Sequence, residues 1–260
     1  MQPLISIIMP AYNAEKTIAE SIKTVMRQTY EHWELIIADD GSTDNTPTTV
    51  SKYIISEPRI SVISASTNAG VASARNRAIS QAKGEYIAFL DSDDLWHEEK
   101  LAKQLQFMME KDAAISYTAT AYMYEGARSS YVLPAAPKLT YEQLLKRNLM
   151  SCSSVMVLRE KMLKFPSGFM HEDYAAWLMI VKKEILAHGL NEPLLIYRLT
   201  KTSKSAKRFR SAKMLFNAYR HVGFSVFASL FLTARYSLHS FSKRALRQIM
   251  PYHALDQTIE

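Results

Sequence analysis

The sequence predicts an α/β fold with a mostly parallel central sheet and helices on both of its faces. Four short apolar, β-branched runs lie in the first 90 residues, and longer stretches with helically spaced apolar residues separate them. Such alternation requires parallel strands joined by right-handed crossovers. Composition agrees: 260 residues, 48% hydrophobic, with seven Gly and nine Pro, exclude collagen-like, low-complexity and wholly disordered chains.

The elements follow in order from these patterns. In the first part of the chain we expect strands at 4–9, 34–38, 60–64 and 86–90, and helices at 14–27, 46–55 and 69–82. Further on we expect helices at 97–110, 141–147 and 172–183, and strands at 113–124, 153–158 and 194–198. Two helices, at about 206–232 and 240–250, are expected to end the chain.

Three features bear on the compartment. A single cysteine, Cys152, excludes an internal disulfide and favours a reducing compartment, the cytosol by default. The N-terminal apolar run is short and no basic stretch precedes it, so we expect no cleaved signal peptide. The charge-free apolar stretch at 221–234 falls short of the ~18 residues typical of a transmembrane helix, so we expect no spanning segment.

Positive charge is concentrated at the C-terminus. The chain carries +7 overall, and from Lys201 onward eleven basic residues stand against two acidic ones. A basic segment can meet the phosphates of nucleic acid, an anionic lipid or an anionic substrate, and charge alone does not choose among them.

Polar residues follow each of the first four predicted strands. In sheets of this kind ligands bind outside the carboxyl ends of the strands, so these residues should meet at one edge. In chain order they are Pro10, Tyr12 and Asn13; Asp39 and Asp40; Asn68, with Arg75 further on; and Asp91, Ser92, Asp93 and Asp94.

The carboxylates after the fourth strand suit a divalent cation. In an extended turn Asp91 and Asp93 project the same way, and hard oxygen ligands suit Mg²⁺ or Mn²⁺ shared with substrate phosphates. The alternative is a solvated turn in which an Asp caps the next helix.

Two further groups have a structural and a functional interpretation. Asp39 and Asp40 either form a turn or accept hydrogen bonds from a base or ribose, while Tyr12 offers a stacking face and Arg75 a guanidinium for a phosphate or carboxylate. Glu172 and Asp173, in the first turn of a helix, either complement its dipole or present a general base.

Five strings in this order resemble the inverting glycosyltransferases of family 2, which have the Rossmann-like GT-A fold. The strings are PAYN, ADDGSTDNT, NAGVASARNRAI, AKGEYIAFLDSDD and HEDYAAWL. The resemblance covers about residues 4–198 and is dense up to Trp96. Small members that act in bacterial capsule, O-antigen or teichuronic acid assembly are similar in length and layout.

The resemblance implies a nucleotide-sugar donor, most often a UDP-sugar, and Mg²⁺ or Mn²⁺. It implies a GT-A domain at 1–200, with a nucleotide-binding half at 1–96 and an acceptor half at 97–200, and a basic helical extension at 201–260. Asp173 matches the catalytic base, with Glu172 in support, and Asp93 and Asp91 match the metal motif. The nucleotide-sugar residues it implies are Pro10, Tyr12, Asn13, Asp39, Asp40, Arg75, Asp91 and Ser92.

The sequence departs from the family after Tyr197-Arg198. Many relatives carry a histidine there, whereas residues 199–205 of this chain contain none, which puts a third protein ligand to the metal in doubt. Lys201 or Lys204 contacts phosphate in one interpretation and lies in an exposed basic loop in the other.

The basic extension has an apolar stripe. Phe209, Ala212, Phe216 and Tyr219, then Phe224, Phe227 and Phe231, recur at helical spacing beside cations. This pattern suits either an interfacial helix on an anionic membrane or a packed helix pair with a solvated basic side. Because family members often use lipid-linked acceptors, the resemblance favours a cytoplasmic enzyme at the inner face of the plasma membrane, with a glycan or lipid-linked glycan acceptor.

Two other function classes remain at this point. A nucleotidyltransferase would share the sheet but usually has a Gly-rich loop after the first strand, where this chain has Pro10-Ala11-Tyr12-Asn13. A non-catalytic module that binds a nucleotide-sugar or nucleic acid would use the basic tail. Since the predicted ligand edge is rich in Asp, we expect no nucleic-acid partner.

Overall fold

The computed structural model of the chain describes residues 2–124, 127–182, 185–199 and 208–249. The strands are β1 Ile5–Ala11, β2 Trp33–Asp39, β3 Ile60–Ser64, β4 Tyr86–Phe89, β5 Leu95–Trp96, β6 Ile115–Tyr124, β7 Ala127–Leu133, β8 Lys138–Leu139, β9 Met156–Leu158 and β10 Ala187–Leu199. The helices are α1 Ile18–Met26, α2 Thr46–Ser56, α3 Val71–Ile79, α4 Lys100–Glu110, α5 Tyr141–Lys146, α6 Glu172–Val181, α7 Arg208–Val222 and α8 Val226–Ile249.

The strands form one mixed sheet in the order β3-β2-β1-β4-β9-β6-β10-β5, with β7 beside β6 and β8 beside β10. Strands β3, β2, β1 and β4 are parallel, and β1 pairs with β2 from Ile5 opposite Trp33 to Ala11 opposite Asp39. Strand β9 is antiparallel to both β4 and β6, so β6 and its parallel partner β10 run in the direction of β4. The carboxyl ends of β1–β4 therefore share one edge.

Helices cover both faces of the sheet, as the sequence predicts. On one face α1, α2 and α4 bury apolar side chains such as Ile22, Val50 and Leu105 against the strands. On the other face α3, α5, α6 and α7 share a second core that includes Trp177 and Tyr219. Strands that are apolar on both sides are what a sheet buried between two helical layers requires.

The second half of the chain contains more sheet than the sequence predicts. Strands β5, β7 and β8 are absent from the prediction, and β10 begins at Ala187 rather than at 194. The register of β10 on β6 shifts between Leu190 and Leu195, so two differently paired segments form this one strand. The sequence shows apolar alternation only in the second segment.

The division between the last two helices is also corrected. The predicted break lies after residue 232, but α7 ends at Val222 and α8 begins at Val226. Gly223 has φ +106°, a left-handed conformation that glycine adopts without a Cβ penalty. The N–H groups of Gly223 and Phe224 donate to the carbonyls of Arg220 and Tyr219, which closes the end of α7.

Helix α7 packs on the hydrophobic core through one face, as the packed-helix alternative predicts. Tyr219 is fully buried, and its hydroxyl donates to the Leu145 carbonyl (2.9 Å) and lies 3.2 Å from the Tyr174 hydroxyl. Phe209 of the predicted stripe, like Lys201 and Lys204, has a side chain outside the described residues. The boundary proposed at residue 200 falls in the undescribed stretch 200–207 and stays a prediction. Within the described ranges no helix is long and apolar enough to cross a bilayer.

Candidate active site

The loops after β1 and β2 are fastened to each other at the carboxyl edge of the sheet. The Asn13 side chain accepts from the Thr43 N–H (2.9 Å), and the Asn13 N–H donates to Ser42 Oγ (2.9 Å). Pro10 lies buried within β1, whereas the Tyr12 ring is 49% exposed. Asn13 and Pro10 thus shape this loop, and Tyr12 presents an aromatic face at its surface.

Asp39 and Asp40 are both buried at the end of β2 but have different partners. Asp39 Oδ1 accepts from the Ser42 hydroxyl (2.5 Å). Asp40 Oδ2 accepts from the Gly70 N–H (2.7 Å) at the start of α3, and its Oδ1 pairs with Arg77 (2.9 Å). Asp40 therefore anchors α3 to β2, which leaves Asp39 as the carboxylate less committed to protein partners.

Arg75 joins two carboxylates that lie far apart in the chain. Its Nη2 is 2.7 Å from Asp91 Oδ1, after β4, and its Nη1 is 3.1 Å from Glu172 Oε1, at the start of α6. The guanidinium is 3% exposed and lies 5.2 Å from the Phe165 ring centroid. Burial alone would lower the pKa of Arg75, but Asp91 foremost, with Glu172 contributing, raises it well above its usual value. Arg75 is therefore a permanent buried cation directed at protein carboxylates.

The turn after β4 is held by three other parts of the chain. Ser153 Oγ accepts from the Asp91 N–H (3.0 Å) and donates to Asp94 Oδ2 (2.6 Å). The Arg198 N–H donates to Asp94 Oδ1 (3.2 Å), and Ser21 Oγ donates to the Asp94 carbonyl (2.8 Å). Burial, with the charge of Asp91 next, raises the pKa of Asp94 well above its usual value. Asp94 is thus a structural carboxyl that fixes the turn.

The remaining carboxylates of this turn fit a divalent cation. Asp93 is exposed and the Asp91 side chain is 32% exposed, so both reach the surface of the edge. Mg²⁺ and Mn²⁺ prefer hard oxygen ligands such as these two neighbouring carboxylates, and a divalent cation would also offset the repulsion between them. In the part of the chain that the structure describes, no three His, Cys, Asp or Glu side chains could hold a metal. Phosphate or water oxygens would therefore complete the coordination.

Asp173 lies half-buried in the first turn of α6, next to the residue that pairs with Arg75. Burial, and after it the charge of Glu172, raises the pKa of Asp173, whereas Arg75 and His171 act in the opposite direction. The Asp173 Oδ1 accepts from the Tyr174 N–H (2.7 Å). A carboxylate with a raised pKa has more proton affinity than a free aspartate, which suits a general base.

Several residues that build this site are not among those predicted from the sequence. Asn76 follows Arg75, and its amide pairs with both backbone groups of Phe165 at 2.8 Å, which places that ring beside Arg75. Ser153 and Arg77 fix Asp94 and Asp40. The sequence offers one signal for these residues, the polar string ARNR at 74–77, in which two arginines flank Asn76. Ser153 has no comparable signal.

Fold and site together define a glycosyltransferase with the GT-A fold. A sequence model described as "Glycosyl transferase family 2" matches residues 6–164, and the chain belongs to this family. The family assignment disfavours the nucleotidyltransferase and the non-catalytic binding module. The individual roles of the site residues stay predictions.

Curated relatives are similar over most of their length. The putative teichuronic acid biosynthesis glycosyltransferase TuaG of Bacillus subtilis (strain 168) is 40% identical over 224 residues, which are 85% of this chain and 89% of the relative. The Escherichia coli UDP-Glc:alpha-D-GlcNAc-diphosphoundecaprenol beta-1,3-glucosyltransferase WfgD is 39% identical over 215 residues, 81% of this chain and 83% of that protein.

Two solved structures show the same fold at low sequence identity. The crystal structure of S. aureus TarS 1-349 in complex with UDP-GlcNAc has a TM-score of 0.71 at 20% identity and covers 93% of this chain and 73% of that one. The mannosyltransferase PcManGT from Pyrobaculum calidifontis, in complex with GDP-Man and Mn²⁺, has a TM-score of 0.67 at 18% identity, with 98% and 83% covered.

Replacing Arg75 tests whether its buried ion pairs stabilise the fold. Arg75→Met leaves Asp91 and Glu172 without their partner and is expected to lower the free energy of unfolding by about 3 kcal/mol. The matched control, Arg59→Met, removes a partly exposed arginine that pairs with Glu57 and lies over the Trp33 ring, and should cost about 1 kcal/mol. Urea unfolding at pH 7 measures both, and equal losses would contradict the assignment.

Proposed function

We propose that the protein transfers a sugar, with inversion, from a UDP-sugar to a hydroxyl of a cell-surface polysaccharide or lipid-linked glycan. The observation that carries the proposal is the double ion pair of Arg75, which brings the Asp91 turn and the Asp173 helix to one edge of the sheet. The relative WfgD supports it, because its name specifies a UDP-Glc donor and a diphosphoundecaprenol-linked acceptor. TuaG, named for teichuronic acid, supports a cell-surface product.

The donor nucleoside lies, in this proposal, between the loops after β1 and β2. The exposed Tyr12 ring offers a stacking face, and Asp39 accepts from the base. Asp40 contributes mainly by holding Asp39 and α3 in place, because both of its oxygens already have protein partners. Pro10, Asn13 and Ser92 shape the backbone of the site.

The diphosphate of the donor lies at the turn after β4. Asp93 and Asp91 would hold Mg²⁺ or Mn²⁺ there, and such a cation would supply positive charge beside the departing nucleoside diphosphate. The presence of Mn²⁺ beside GDP-Man in PcManGT supports this choice of ion. Arg75 holds Asp91 in place from below, so its role is positioning rather than nucleotide contact.

The transfer is a single displacement. The acceptor hydroxyl oxygen attacks the anomeric carbon as the bond to the nucleoside diphosphate breaks, and the bonding electron pair leaves with the diphosphate. Attack from the side opposite the leaving group inverts the configuration. Asp173 takes the acceptor proton, while Glu172, fixed by Arg75, keeps the first turn of α6 in position.

Ligand-induced stabilisation tests the donor site. Because a ligand that binds only the folded state stabilises it, a UDP-sugar should raise the melting temperature, and Mn²⁺ should enlarge the shift. Asp93→Ala is expected to lose the metal-dependent part. Asp173→Asn should keep the donor shift but lose at least about 100-fold in transfer rate. Glu31→Gln, an exposed charge between α1 and β2, is the control; no shift with any nucleotide-sugar would refute the donor site.

The pH profile tests the base. Only ionised Asp173 accepts a proton, so kcat/KM should rise with pH along a limb that reports its pKa. Glu172→Gln removes a charge that raises this pKa and should move the limb to lower pH. His171→Gln removes a group that lowers it and should move the limb to higher pH. Shifts in the same direction would argue against Asp173 as the titrating group.

We further propose that α8 lies on an anionic membrane surface. Phe227 is 85% exposed and Leu238 71%, and with Val226, Leu230 and Phe231 they form an apolar face on one side of the helix. Arg235 is exposed on the same helix, and Arg220 lies just before it. Exposed apolar residues flanked by cations suit the interface of an anionic bilayer.

Vesicle sedimentation tests this surface. Phe227→Ser/Phe231→Ser should weaken binding to phosphatidylglycerol vesicles at least tenfold, because both rings lie outside the core and their loss leaves folding intact. Ile55→Ser, at an 87% exposed position on α2, is the matched control. Equal binding of the double variant and the control would refute a role of α8.

A further inference from the structure

Helix α7 docks on the turn that carries the proposed base. Ser211 Oγ lies 3.1 Å from His171 Nε2, and Asn217 Nδ2 donates to the Phe169 carbonyl (2.7 Å). His171 is the N-cap residue of α6, directly before Glu172 and Asp173. The first turns of the basic helix are thus fixed beside the acceptor side of the site.

Two cations of α7 share one aromatic ring at this place. Arg210 Cζ lies 5.3 Å and Lys213 Nζ 5.9 Å from the ring centroid of Phe169. Phe169 itself is 41% exposed. A ring face stabilises a cation by about 0.5–1 kcal/mol at exposed sites but neutralises no charge. Among the residues that the structure describes, no carboxylate lies within 4.0 Å of either cation.

The position of this pair relative to the base limits what it binds. Phe169 precedes Asp173 by four residues, so their backbones are separated by at most about 14 Å. An anion held by Arg210 and Lys213 is therefore within reach of a phosphorylated sugar whose hydroxyl is at Asp173. Arginine offers forked donors and lysine a mobile point charge, which together suit a phosphate or diphosphate group.

We propose that Arg210 and Lys213, held by Phe169, form a subsite for the phosphate or diphosphate of the acceptor. The inference rests on the proposed function and deepens it, because it selects acceptors with a phosphoryl group next to the sugar that receives the transfer. The subsite positions the acceptor; the proton still passes to Asp173. It also gives the basic charge of α7 a role separate from the apolar face of α8.

Two acceptors that differ only in charge test the subsite. One is N-acetylglucosamine 1-diphosphate esterified to a short alkyl chain, and the other is the neutral alkyl glycoside of the same sugar. Arg210→Gln/Lys213→Gln should raise the KM of the charged acceptor at least tenfold and leave the KM values of the neutral acceptor and the UDP-sugar unchanged. The control Lys23→Gln/Lys52→Gln removes two exposed cations from α1 and α2, on the opposite face of the sheet.

Three other outcomes of this experiment also decide the question. An equal loss with the neutral acceptor would assign α7 a packing role only. Weaker binding to phosphatidylglycerol vesicles with an unchanged KM would place the two cations at bulk lipid. If neither acceptor is turned over, calorimetric binding of the two compounds decides: a preference of the wild type for the charged one, lost in the variant, supports the subsite, and no preference refutes it. Failure of the donor site appears separately, as the absence of a thermal shift with UDP-sugar.

Discussion

The buried guanidinium of Arg75 is the constraint on which the rest of the site depends. Removing such a cation from water costs several kcal/mol, and only well-placed carboxylates and hydrogen bonds offset that cost. Asp91 and Glu172 supply them from opposite sides, one after β4 and one at the start of α6. If either carboxylate moves away, the buried cation loses one of its two partners. In the proposed function, this pairing fixes the spacing between the donor side and the acceptor side before any substrate binds, which is the preorganisation that a single displacement requires.

Helix α3 distributes this constraint through three consecutive residues. Arg75 fixes the two carboxylates, Asn76 clamps the backbone of Phe165, and Arg77 pairs with Asp40. Phe165 packs edge-on against Phe89 and Trp177, with ring centroids 5.4 and 5.6 Å away, so the polar site rests on an aromatic layer. One short helix thus sets the geometry of β2, β4 and α6 at the same edge. In the proposed function, a substitution at Arg75, Asn76 or Arg77 is therefore expected to affect the binding of both substrates.

The sequence predicts the sheet better than the site, for a physical reason. Strands β1, β2 and β4 are continuous apolar runs because they are buried on both faces, and polar residues at their ends must share an edge. The first segment of β10 lacks this signal: it holds Gly189, where a Cβ would lie 2.1 Å from the Ala136 carbonyl oxygen. Contacts such as Arg75–Glu172, 97 residues apart, follow from tertiary packing alone. The residue type of Arg75 therefore predicted that its guanidinium binds an anion. It could not predict that the carboxylates of Asp91 and Glu172 are the anions that it binds.

Charge balance then separates the two substrate sides. The described arginines at the sheet edge are already paired: Arg75 with Asp91 and Glu172, Arg77 with Asp40, and Arg198 with Glu20. In the proposed function, a donor diphosphate at the Asp91–Asp93 turn meets carboxylates among the described residues, and Mg²⁺ or Mn²⁺ held there would offset the negative charge of both. On the proposed acceptor side, the chain itself supplies two cations, Arg210 and Lys213. We therefore expect the donor to bind with metal dependence and a phosphorylated acceptor with salt dependence, because the second interaction relies on the exposed charges of Arg210 and Lys213.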